Sequence, residues 1–188
     1  MPLRPLAEAD LDMILEWRNQ QAVRLSMYSQ HHISPEEHRA WHERMSRDPA
    51  CHWLVFARGD VPVGVAYFTN ISPNERTAEW GFYTAPHAIA GTGTLLGIEV
   101  LTFGFRMLAI DTIDAEVLAS NSASLRLHSK LGFTEQRRFI QPLSDGTRFV
   151  QVVRHRLNAD QWAITRQSLL APLERFNAEQ RHESTSPD

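Results

Sequence analysis

Apolar positions change their period several times along the chain, and each change marks an element. Pro2 to Pro5 reads as a short edge strand, and Ala9 to Asn19 as an amphipathic helix with Leu11, Ile14, Leu15 and Trp17 on its apolar side. Ser34-Pro35-Glu36-Glu37 combines a Ser-x-x-Glu capping box with proline at the first helical position, which predicts a second helix to about Arg47, closed by Asp48-Pro49. His52 to Arg58, a turn at Gly59-Asp60, Val61 to Ile71 and Arg76 to Thr84 read as three strands in an antiparallel meander. From Thr92 to Ala109 the spacing of Leu96, Val100, Phe103 and of Leu101, Phe105, Leu108 is that of a helix packed on a sheet. Thr112 to Leu118 follows as a strand, Asn121 to Leu131 as a short helix closed by Gly132, and Phe133 to His155 as a hairpin turning at Ser144-Asp145-Gly146. A last helix is expected from Asn158 to about Phe176. The polar stretch from Asn177 to Asp188 lacks apolar anchors and reads as disordered.

This order is an α+β plan, with residues 1–157 as one domain and 158–188 as a C-terminal helix and tail. At 188 residues the chain can bury a core without disulfides. The 19 Lys+Arg against 22 Asp+Glu, a formal charge of -3, leave no overall basic field for nucleic acid or an anionic membrane. Cys51 is the only cysteine, which excludes an internal disulfide. No apolar run approaches the roughly 20 residues that cross a bilayer, and the start MPLRPLAEAD has no signal-like apolar stretch. A soluble, cytoplasmic protein is the expectation; oligomeric state stays open, a homodimer included.

Candidate chemistry begins at Pro86 to Gly97, PHAIAGTGTLLG, where a strand enters a glycine-containing loop and then the main helix. Gly91 and Gly93 let the backbone approach a ligand, and the helix N-terminus offers free N–H groups and a dipole end suited to a pyrophosphate. Glycines before a helix also occur in plain loops, so this feature needs its neighbours.

With them, the chain resembles the GCN5-related N-acetyltransferases (GNAT), whose pyrophosphate loop is usually written Gln/Arg-x-x-Gly-x-Gly/Ala, followed after a strand by Asn and then Gly-Phe. The matching residues are Ala88-Ile89-Ala90-Gly91-Thr92-Gly93, then Asn121, Ser124 and LHSKLGF, Leu127 to Phe133. Ala88 and Ala90 stand where that family often has basic residues, so phosphate binding is expected from backbone N–H groups and the Thr92 or Thr94 hydroxyls. The resemblance covers roughly Leu3 to His155. It implies a mixed, mostly antiparallel sheet of about seven strands flanked by about four helices, and acetyl-CoA as cosubstrate. Glu16 to Trp41, with GVAYFTNI and EWGFY, further resembles the N-acetyltransferases of pseudaminic acid biosynthesis. In that family the acceptor is UDP-4-amino-4,6-dideoxy-N-acetyl-β-L-altrosamine, in a pathway that supplies sugar for flagellin glycosylation. That resemblance places Met27 and Tyr28 near the acceptor, with Arg18 and Arg24 facing a nucleotide diphosphate and His31 nearby.

Acetyl transfer needs a base for the amine, a donor for the thioester carbonyl and a proton for the thiolate. Glu79, on the strand before the glycine loop, is the first candidate base and Glu116 the reserve; either equally suits the solvent face of an alternating strand. His128 stands where the wider fold commonly has a tyrosine that protonates the leaving group. It reads equally well as a histidine packed on its helix; Tyr83 is the alternative donor. Backbone N–H groups around Phe82 would polarise the carbonyl if that strand splays from its neighbour. His38 and His42 have i,i+4 spacing, but no third or fourth ligand accompanies them, so no metal is expected. Trp17, Trp41, Trp53 and Trp80 read as core or core-edge residues and are assigned no chemistry. Rival readings are a relative acetylating a protein N-terminus or another small amine, and a catalytically silent acyl-CoA-binding regulator.

Overall fold

A computed structural model describes residues 2–183, with side chains in the last helix described as far as Ala171. Its strands are β1 (Leu3–Pro5), β2 (His52–Arg58), β3 (Val61–Ser72), β4 (Thr77–Thr84), β5 (Thr112–Leu118), β6 (Thr134–Pro142) and β7 (Phe149–Asn158). The helices are α1 (Leu11–Asn19), α2 (Gln21–Arg24), α3 (Pro35–Met45), α4 (Thr92–Met107), α5 (Ser122–Lys130) and α6 (Ala159–Glu183), with one 3-10 turn at Glu8–Asp10. One seven-stranded sheet has the order β1-β2-β3-β4-β5-β7-β6. Each neighbouring pair is antiparallel except β4 with β5, which is parallel.

This is the α+β sheet that the pattern implied, with one α-helix among the described residues, α2, beyond the five read from the sequence. Helix α2 is too short for an apolar period to register, since four residues make barely one turn. Helix α6 begins one residue later than predicted, because Asn158 still pairs with Thr112 and caps the helix by accepting from the Gln161 N–H at 2.8 Å. It also continues past Phe176 to Glu183, while the end of the expected disordered tail, 184–188, lies outside the described residues. At α3 the hydroxyl half of the capping box forms, Ser34 accepting from the Glu37 N–H at 3.2 Å.

Strand alternation divides the core between the two sheet faces. Leu54, Ala66, Phe68, Ala78, Trp80, Ile113, Ala115 and Leu157 pack under α4 with Leu96, Val100 and Leu101, and Trp162 of α6 joins the same cluster. Val65 and Tyr83 point the other way, against Leu11, Ile14 and Trp17 of α1. The sheet therefore carries α4, α5 and α6 on one face and the N-terminal helices on the other.

Candidate active site

Strands β4 and β5 pair only over Thr77–Glu79 against Thr112–Asp114, although β4 runs on to Thr84 and β5 to Leu118. Beyond Glu79 the strands diverge, so alternate N–H and C=O groups of Trp80–Thr84 face a gap instead of a strand. This is the splay that the sequence could pose only as a condition. A cavity of about 470 Å³ fills it, lined by Trp80–Thr84 of β4, Glu116 and Val117 of β5, Gly93 of α4, and Asn121, Ser124, Leu127 and His128 around α5.

At the α4 end, Gly91 is the N-cap and has φ +88°, a left-handed conformation that a side chain disfavours. The N–H groups of Thr92, Thr94 and Leu95 are committed to the carbonyls of Ile89 and Gly91. Those of Gly91 and Gly93 have no partner among the described residues, so two N–H donors stand free at the start of the helix. The Thr92 Oγ1 is buried and unpartnered. Thr94 Oγ1 accepts from Lys130 Nζ at 3.2 Å, so the only lysine of the chain, on α5, reaches the first turn of α4. The sequence pattern did not reveal this cation because it lies outside the loop: Lys130 sits 36 residues on from Thr94, within the LHSKLGF run. A 16-residue helix start, two unpaired N–H groups, an orphan hydroxyl and an ammonium group fit the diphosphate of coenzyme A. Asn121 caps α5 by accepting from the Ser124 N–H at 3.0 Å, so its placement on the cavity wall comes with a structural duty.

The two carboxylate candidates fall in different places. Glu116 lines the cavity; its Oε2 accepts from the Tyr28 hydroxyl at 2.7 Å and its Oε1 from Arg154 Nη1 at 3.2 Å. Glu79, the first choice from sequence, lies outside the lining, bonded to Asn70 Nδ2 at 3.1 Å and 3.7 Å from Arg154. Strand alternation could not rank them, because both occupy the same sheet face and only the splay admits one.

His128 is 3 % exposed, ringed by Trp80, Phe82, Phe133 and His155. Burial pushes its pKa down to about 4. Nδ1 lies 2.8 Å from the Ser124 carbonyl, an acceptor only, so the proton of the neutral ring sits on Nδ1 and the buried, unpartnered Nε2 is bare. This placement argues against the expected imidazolium donor. Tyr83 is buried on the wall of this cavity, and burial raises its pKa, which keeps the phenol protonated.

A second cavity of about 340 Å³ shares Met27, Tyr67 and Tyr83 with the first and opens toward α3. Its walls are aromatic: Tyr67 stacks on Trp53 with centroids 4.2 Å apart, and Trp41 meets Trp53 edge-on at 4.5 Å. Trp41 and Trp53, read from sequence as core or core-edge, lie at the edge of the core and line this space. Arg18 Nη2 donates to the Ser29 carbonyl at 2.8 Å, whereas Nη1 is buried without a partner. Tyr28 lines the same cavity, held by its backbone carbonyl to the Ser144 N–H at 3.0 Å. Arg24 and His31 do not line either space: Arg24 is bonded to the carbonyls of Asn19 and Gln30, and His31 to Glu37 at 2.8 Å. His38 is buried and stacked on Trp41. Among the described residues no three His, Cys, Asp or Glu side chains converge as a metal site would require, and no helix is long and apolar enough to cross a membrane.

Comparison with known proteins agrees with this geometry. Residues 1–134 match the family model described as acetyltransferase (GNAT) domain. Two curated relatives, both acetyltransferase PseH from Campylobacter jejuni strains, are 26 % and 28 % identical over 129 residues, 69 % of this chain and 80 % of theirs. Among solved structures, spermidine N-acetyltransferase from Vibrio cholerae in complex with CoA and spermine superposes with a TM-score of 0.78 at 21 % identity, covering 86 % of this chain and 96 % of that one. Ribosomal-protein-alanine N-acetyltransferase from Brucella melitensis gives 0.68 at 26 % identity, covering 84 % and 99 %. With a family model over most of its length and a splayed β4–β5 pair beside a left-handed glycine, the chain belongs to the GNAT acetyltransferases and is an acetyl-CoA-dependent N-acetyltransferase.

Proposed function

We propose that the acceptor is an amino-sugar nucleotide, with UDP-4-amino-4,6-dideoxy-N-acetyl-β-L-altrosamine of pseudaminic acid biosynthesis as the specific substrate and its 4-amino group as the nucleophile. One observation carries the reading: the second cavity is an aromatic box lined also by Arg18, whose buried Nη1 has no hydrogen-bond partner. A pyrimidine or sugar ring stacks on such walls, and a phosphate or carbonyl oxygen satisfies Arg18 Nη1. A polycation would want carboxylates there; among the described residues of the lining, the one carboxylate, Glu37, is engaged by His31. The resemblance to acetyltransferase PseH points the same way.

In this reading Glu116 accepts the amine proton. The nitrogen bonds to the carbonyl carbon that acetyl-CoA supplies, the C–S bond breaks, and sulfur leaves as a thiolate that takes its proton from solvent. Coenzyme A held along the β4–β5 gap places that carbonyl beside the free N–H groups around Phe82, which stabilise the negative charge gathering on its oxygen. Burial raises the pKa of Tyr83 and of Tyr28, which makes both phenols weak acids, so in this reading they orient groups. A covalent route through Cys51 is disfavoured: burial pushes its thiol up to about 11, and it donates to Asp48 at 3.4 Å. A lone cysteine and dependence on acetyl-CoA fit the cytoplasm.

The test is an acceptor panel: the purified chain with acetyl-CoA and, separately, the amino-sugar nucleotide, spermidine and an alanine-terminated peptide, read by thiol release and product mass. Turnover confined to the nucleotide sugar is expected, and Arg18→Met raises its KM on the order of 10-fold to 100-fold, the value of a lost charged hydrogen bond. Preferred acetylation of spermidine or the peptide overturns the reading.

A further inference from the structure

Five charged side chains share the sheet face that looks toward the acceptor. Glu79 lies opposite Asp114, Asp114 opposite Arg156, and Glu116 opposite Arg154 across β4, β5 and β7. Arg156 alone satisfies Asp114, with Nε on Oδ1 at 2.7 Å and Nη2 on Oδ2 at 2.8 Å. Arg154 is therefore not needed to neutralise that buried carboxylate, yet its Nη2 also donates to Asp114 Oδ2 at 2.9 Å. This anchor leaves Nη1 aimed at Glu116 Oε1, 3.2 Å away. From the opposite side the Tyr28 hydroxyl donates to Oε2 at 2.7 Å. Each Glu116 oxygen thus has one donor, from a different element, and still has lone-pair capacity for an incoming N–H.

We infer that Arg154 is a positioning residue for the acetyl transfer: its guanidinium, fixed on Asp114, holds the Glu116 carboxylate at the mouth of the β4–β5 gap, where the amine proton is taken. The inference rests on the reading of Glu116 as the proton acceptor. A fork is what the task requires, because one planar group must bridge Asp114 and Glu116 at once, and an ammonium presents a single charge centre. Without Arg154 only Tyr28 restrains the carboxylate, and a misplacement of about 1 Å at a reacting group is enough to cost on the order of 100-fold in rate. Asp114 keeps its Arg156 pair in such a variant, so the fold survives the change.

The experiment measures kcat and the KM for acetyl-CoA in Arg154→Gln, Arg154→Lys, Glu116→Gln and the Glu116→Gln/Arg154→Gln double variant, with whichever panel amine is turned over. It adds crystal structures of the wild type and Arg154→Gln. Expected results are a loss in kcat on the order of 30-fold to 100-fold for Arg154→Gln with the acetyl-CoA KM within about twofold, and partial recovery in the lysine variant. The double variant should be no slower than Glu116→Gln alone, since Arg154 acts through that carboxylate. In the crystal, Glu116 leaves its wild-type position. Additive losses in the double variant, or a Glu116 side chain unmoved in Arg154→Gln, overturn the inference while leaving the base assignment standing. A Glu116→Gln variant with near wild-type kcat removes the base assignment itself, and with it this role for Arg154.

Discussion

His128 shows how a residue's surroundings set its chemistry. An imidazole among Trp80, Phe82 and Phe133, with its Nδ1–H already given to the Ser124 carbonyl, is kept neutral by the cost of burying a charge. Its pKa is about 4 in the folded chain against an ordinary 6.5, so between those values the unfolded chain binds the extra proton and stability falls as pH falls. Above about pH 6.5 the contribution is fully present. By pH 4 it has cost on the order of 3 kcal/mol, at about 1.4 kcal/mol per unit. His155, likewise lowered by burial, adds to the same slope. Urea unfolding from pH 7.5 to 4.5 should therefore show a decline below pH 6.5, and His128→Phe, which keeps an aromatic ring there, should flatten most of it. An unchanged slope in that variant means that the ring charges freely in the native state, restoring the acid role that the sequence pattern offered it.

Among the elements, the start of α4 carries the clearest requirement on a single position. A Cβ built on Gly91 meets nothing within 4 Å, so space does not forbid a side chain there; the φ of +88° does. Gly91→Ala should cost on the order of 1 kcal/mol in stability and weaken coenzyme A binding about tenfold in calorimetry, because the loop relaxes away from the geometry that frees the Gly91 and Gly93 N–H groups. Gly59→Ala, at another left-handed glycine in the β2–β3 turn, should cost similar stability and leave that affinity unchanged. Equal effects of both substitutions on coenzyme A would mean that the loop geometry at Gly91 has no special part in binding. The loop and its following helix were legible in sequence because glycine spacing and an i,i+4 apolar stripe are local signals. What joined other elements to them was not. Period-2 alternation marks β4 and β5 as strands without saying that they part after Glu79 and Asp114, and that parting is what separates Glu116 from Glu79. Lys130 and Thr94, Tyr28 and Glu116, and Arg154 and Asp114 are contacts across 36, 88 and 40 residues, and no short-range pattern encodes such pairings.

For the molecule as a whole, the packing of α6 sets where the folding unit ends. The element order read from sequence set the boundary at residue 157, with the last helix and tail as a separate segment. In the structure the first turns of α6 belong to the core: Trp162 is 3 % exposed and lies in the main apolar cluster, its ring stacked beside Phe105 at 6.4 Å. Arg166 Nε donates to Thr102 Oγ1 of α4 at 3.0 Å, and Leu169 and Leu170 pack against the same cluster. Thr165 sits against Gly132, at the turn that carries α5 into β6, so α6 also braces the helix that bears Lys130 and His128. We propose that the domain extends through at least the first three turns of α6. Deleting a buried tryptophan side chain costs about 3–5 kcal/mol, which for a chain of this size is a fall of roughly 10 °C in melting temperature. Trp162→Ala in the full chain should show that fall with acetyl-CoA binding weakened in step, and a chain ending at Asn158 should lose more or fail to fold. If instead the truncated chain melts within about 2 °C of the full one, residues 1–158 fold alone and the packing of Trp162 is incidental to the domain.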